Sequence, residues 1–160
     1  MGFWETVSAA GLGAFLVTVI KEILGFHLNK SSLVESDRDD DLKLIEDTVY
    51  EIREMSCDYW EVPDEELNTA RSASRITSRL LHVGQVVERL FRDEESALKA
   101  VNAELNRFDD RIQHGSYGVR DRAAEPTRIL EIEQDAVALT NRARDCRRKL
   151  KRRFIRFKRA

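Results

Sequence analysis

Three histidines, two cysteines and 29 acidic side chains are the residues of this 160-residue chain with the most obvious chemistry. His27, His82 and His114 fall on separate segments and make no HExxH or comparable metal-ligand set. Cys57 and Cys146 stand alone, too few for a disulfide framework and without zinc spacing. Both occupy positions on helix core faces, the pattern of reduced, buried thiols in a reducing compartment. No GxSxG, P-loop or dinucleotide-binding GxGxxG is present; Gly11 and Gly13 lie inside an apolar run rather than after a strand. Asp37, Asp39 and Asp41 imitate the first ligands of an EF-hand loop. Leu42 then stands where Gly is needed and Thr48 where the bidentate Glu belongs. Acids at a helix start, favoured by its dipole, explain the run more simply. The expectation is a chain with no metal, no cofactor and no catalytic set.

One spacing qualifies that expectation. Arg107 and His114 form an Arg-x6-His pair near the end of a helical segment. This resembles the Arg-x(4–6)-His element of HEPN ribonucleases, which are helical bundles. The resemblance implies a pair that activates a ribose hydroxyl in a dimer cleft. It covers two residues, and Arg75 with His82 repeats the spacing. On a helix surface Arg107 also has Glu104 and Asp110 three residues away, ready to pair with it.

Charge is distributed unevenly. Residues 141–160 hold eleven Lys or Arg against the single acid Asp145, a surplus of ten; the net charge of −2 therefore leaves −12 for residues 1–140. Such polarity points to an anionic surface near one end: membrane, nucleic acid or an acidic partner. Arg147, Arg148, Lys149, Lys151, Arg152, Arg153, Arg156, Lys158 and Arg159 surround Leu150, Phe154 and Phe157, so the segment reads as a basic amphipathic helix. No helix-turn-helix, zinc or RNP-type motif accompanies it, which ranks nucleic acid below a membrane surface.

The opposite end of the chain is apolar. Thr6 to Ile20 are fifteen consecutive uncharged residues between Glu5 and Lys21. A helix from Phe3 to Ile20 is about 27 Å long, close to one hydrocarbon core. Leu12, Phe15, Leu16, Val17, Val19 and Ile20 contribute about −3 kcal/mol to insertion, a marginal sum that Lys21 preserves only at an interface. Ala9 with Gly13 and Ala10 with Ala14 give small-xxx-small spacing, which favours helix association in lipid. Burial of the same segment in a soluble bundle is the competing expectation.

These segments need a scaffold, and the remaining periodicity supplies one. Leu42, Ile45, Val49, Ile52 and Met55 make the first stripe, ending near Asp58. Leu67, Ala70, Ala73, Ile76, Leu80, Val83, Val87 and Leu90 make the second, opened by Pro63 and Asp64. Ala97, Val101, Leu105, Phe108 and Ile112 make the third, with Asp93 as its cap. Ile129 to Phe157 make the last, opened by Pro126. His114 to Gly118 is a breaker. The predicted fold is all-α: a single transmembrane helix (1–28), a linker (29–36) and an antiparallel four-helix bundle (37–160) with a long basic C-terminal helix. The up-down order returns that basic end to the side where the chain enters the bundle.

The functional expectation follows. The chain reads as a small single-pass membrane protein, N-out, with a cytoplasmic bundle serving as an interaction or sensing module. Its partners are the anionic inner leaflet, further copies of itself and a possible protein partner. One version is an oligomerising effector of a bacterial stress or phage-defence system. The alternative is a soluble nucleic-acid-binding protein or HEPN-like ribonuclease.

Overall fold

A computed structural model describes residues 34–63, 69–119 and 122–157. The chain divides into two compact units, Met1–Asp39 and Asp40–Ala160. In the first, residues 34–39 are helical, with Arg38 and Glu35 paired at 3.8 Å. The expected segment Thr6–Ile20, with Ala9, Ala10, Gly13 and Ala14, lies outside the described residues. So do Leu67, Lys158 and Arg159. Among the described residues no helix is long and apolar enough to cross a membrane.

Four helices and no strand make up the described chain: α1 (34–61), α2 (Thr69–Phe91), α3 (Glu95–Gln113) and α4 (Pro126–Phe157). They form because apolar residues recur at 3–4 spacing and each stripe must leave water. Ile45, Val49 and Ile52 of α1, Ile76 and Val83 of α2, all five predicted residues of α3, and Ile132, Leu139 and Ala143 of α4 are buried together. Thirty-two residues make α4 about 48 Å long.

Ion pairs between neighbouring helices fix the directions. Asp41 and Glu51 of α1 meet Arg89 and Arg79 of α2, so a step forward on one is a step back on the other. Glu46 of α1 meets Arg144 of α4. Glu104 and Arg111 of α3 meet Arg142 and Glu131 of α4, again in opposite order. Tyr117, just past α3, donates its hydroxyl to the Ala73 carbonyl near the start of α2 at 2.7 Å. The unit from Asp40 onward is therefore an antiparallel four-helix bundle, in which each helix runs opposite to its neighbours.

The helix boundaries differ in detail from the expectation. Helix begins by residue 34, inside the expected 29–36 linker, and α1 runs to 61, past Asp58. Asp93 sits in the turn and Glu94 is the N-cap of α3, with no side-chain cap bond. The Glu94 N–H instead donates to the Phe91 carbonyl at 2.9 Å, and the Glu94 carbonyl accepts from Ala97 and Leu98. These backbone bonds close the tight α2–α3 turn. Ala70, in the first turn of α2, is exposed rather than inward as its stripe predicts.

Candidate functional site

The sequence nominated two places, and the bundle separates them to opposite ends. One is the Arg107–His114 region at the C-terminus of α3. The other is the basic C-terminal part of α4.

Arg107, Arg111 and His114 stand one and two turns apart and project along one side of α3. The helix stops at His114, whose backbone is extended (φ −70°, ψ 149°) and whose N–H donates to the Asp110 carbonyl. Gly115 follows with φ +75°, a left-handed conformation that disfavours any side chain. A Cβ there would also lie 3.3 Å from the Arg128 guanidinium. That guanidinium lies 4.0 Å from the centre of the Trp60 ring, pairs with Glu125 at 2.8 Å and donates to the His114 carbonyl. Trp60 is fully buried, and its indole N–H donates to the Ile112 carbonyl at 3.2 Å, one of the helix-end carbonyls without an intrahelical donor. The end of α1 thus holds the end of α3 and the start of α4 in one arrangement.

Arg122 completes this corner. It is 4% exposed, donates to the Tyr59 carbonyl and stacks 3.9 Å from the Tyr59 ring centre. Tyr59 in turn accepts from the Gly118 N–H at 2.8 Å, and Glu125 N–H donates to the Trp60 carbonyl at 2.9 Å. Periodicity ends the first stripe near Asp58 and gives Tyr59, Trp60, Arg122 and Arg128 no place. An adjacent aromatic pair facing an Arg-bearing loop is the one available signal.

Between α3 and α4 this framework leaves a cleft of about 460 Å³ lined by Asn106, Arg107, Asp110, Arg111, His114, Arg128 and Glu131. Arg107 and His114 share it. Arg75 lines a different pocket, with Met55, Asp58, Tyr59 and Ser72, and His82 is not part of it. The two spacings identical in sequence are therefore unlike in space. Arg107 donates to Glu104 at 3.1 Å, and Arg111 reaches Glu131 at 2.9 Å and Asp135 at 3.3 Å. The guanidinium groups already hold carboxylates, in positions where a phosphate could compete for them.

At the other end, Arg148, Lys149, Lys151 and Arg152 are exposed. Arg147 differs: its side chain is 2% exposed, on the core side of α4. Helix α4 continues through Arg153 and Arg156. Near this end Asp41, the third acid of the EF-hand-like run, is bound to Arg89. Among the described residues no group of three or more His, Cys, Asp or Glu is arranged to hold a metal ion. Both thiols are free. Burial, then the negative charge of Glu133, pushes the Cys57 thiol up to about 11, which makes it a poor nucleophile at neutral pH. Compared with protein families, with curated proteins and with solved structures, the chain finds no match.

Proposed function

We propose that this chain is a membrane-anchored interaction module, held to a bilayer by the Thr6–Ile20 segment, with its bundle on the cytoplasmic side. The observation that supports this most is the shared end. Antiparallel pairing through Glu46 and Arg144 sets Asp40, where α1 enters the bundle, level with Leu150 of α4. The chain therefore comes from its apolar segment into the same end that carries Arg148, Lys149, Lys151 and Arg152. Each cation near an anionic leaflet is worth about 1 kcal/mol, so these four supply about 4 kcal/mol toward apposition. The small-xxx-small spacing around Ala9, Ala10, Gly13 and Ala14 favours self-association, as an oligomerising stress or defence effector requires. Deleting residues 1–28 tests the reading: a folded, soluble helical remainder is expected. Aggregation of the remainder would place the apolar segment in a core instead.

A second reading is favoured by the α3–α4 cleft, which gathers Arg107 and His114 as the HEPN resemblance implies. Here the bundle is a nucleic-acid-binding protein or ribonuclease, with His114 moving the proton of a ribose hydroxyl and the arginines holding phosphate. It requires RNA cleavage that disappears in His114→Ala; cleavage unaffected by that exchange removes it.

A further inference from the structure

A second cleft, of about 360 Å³, runs between α2 and α3 on the bundle surface. Its floor is Leu80, Gly84 and Leu105, and Leu81 stands 67% exposed beside it. Gly84 keeps the floor low: nothing within 4 Å of the position its Cβ would take comes closer than Leu105 Cδ2, at 3.8 Å. The polar groups on the walls are amides, a hydroxyl and two carboxylates, Asp109 and Glu88, and none of the described residues that line the cleft is cationic. Asp109 is half-buried and accepts from the Gln113 amide at 2.6 Å. Burial raises its carboxyl above the ordinary range, the Gln113 bond lowers it and neighbouring Asp110 raises it again. A desolvated carboxylate facing a groove whose described walls carry no cation is the charge complement of an ammonium group. An apolar floor with one or two such groups is the usual build of a small-molecule site, and the volume falls in that range.

We propose that this cleft binds an aliphatic amine, its hydrocarbon body against Leu80, Leu81, Gly84 and Leu105 and its ammonium on Asp109. The site lies on the α2–α3 side of the bundle, lined by different residues from the Arg107–His114 cleft apart from Asn106, and is independent of membrane anchoring. The test is calorimetry of the full chain with n-hexylamine and, as the uncharged match, hexan-1-ol. The amine is expected to bind with a dissociation constant on the order of 1 mM, a range open to so small a ligand. The alcohol should bind about tenfold more weakly, because a charge-assisted hydrogen bond exceeds a neutral one by roughly that factor. Asp109→Asn keeps an acceptor for Gln113 and should erase the margin. Leu81→Ala removes an exposed side chain, so it does not act through the core; it should weaken both ligands and keep the margin. Equal binding of amine and alcohol, a margin that survives in Asp109→Asn, or no binding of either ligand would overturn the proposal.

Discussion

Glu46 and Arg144 lie 98 positions apart in sequence and meet through two hydrogen bonds, of 2.6 and 2.8 Å, between the first and last helices of the bundle. The pair reports the antiparallel register that sets Asp40 beside the basic part of α4. Its energy is small, since Arg144 is 45% exposed and exposed pairs are worth about 0.2–1 kcal/mol. Glu46→Arg alone should lower the urea midpoint slightly, and adding Arg144→Glu should recover it. High salt should shrink both effects. A double exchange no better than the two single effects summed would mean that the residues do not meet.

Trp60 and Arg122 anchor the far end. Trp60→Phe keeps a ring but leaves the Ile112 carbonyl without its indole donor, a loss of about 1–3 kcal/mol. Arg122→Lys should cost at least about 1 kcal/mol although it keeps the charge, because an ammonium cannot both stack on Tyr59 and donate to its carbonyl as the planar guanidinium does. Chemical denaturation measures both; a silent Arg122→Lys would show that the stack contributes nothing.

Asp109 gives a pH dependence of uncommon sign. Most native carboxylates have depressed pKa values and lose stability in acid, whereas burial raises this one. The folded state therefore binds this proton more tightly than the unfolded state, and its destabilising contribution fades as pH falls through the raised value. Asp109→Asn should stabilise the bundle at neutral pH, with the difference closing in acid. Urea midpoints of both proteins across that range check the sign.

Cys57 should resist alkylation. With its thiol at about 11, roughly 10⁻⁴ of it is ionised at pH 7, so iodoacetamide should react about a hundredfold more slowly than with free cysteine. Mass spectrometry of the native protein follows the rate. Labelling of Cys57 as fast as in urea would show that the helix end is open.

The bundle was legible because helices reveal themselves one at a time. All five α3 residues assigned inward from spacing alone are buried, as are Ile45, Val49 and Ile52 of α1. The breaker at His114–Gly118 was legible too, since Gly115 and Gly118 both need positive φ. The far corner was not. Trp60 reaches Ile112 across 52 positions and Arg122 reaches Tyr59 across 63, contacts that no local periodicity encodes. The N-cap of α3 lies at Glu94, one residue beyond the expected Asp93, a difference too fine for residue types alone to fix. Arg147 counted among the surface cations by composition, yet its place on the turn of Ala143 and Cys146 carries it inward. The Arg107–His114 spacing was visible in sequence but indistinguishable from Arg75–His82; only the packing of α3 on α4 puts one pair in a shared cleft.

Membrane anchoring is the claim on which the proposed function stands, and fractionation of the full chain after an alkaline, high-salt wash tests it most directly. That wash strips proteins held by charge alone and leaves inserted helices in place. The full chain should stay with the membrane pellet, and a chain without residues 1–28 should leave it. Recovery of the full chain in the detergent-free supernatant would contradict the anchor and leave the nucleic-acid reading in its place.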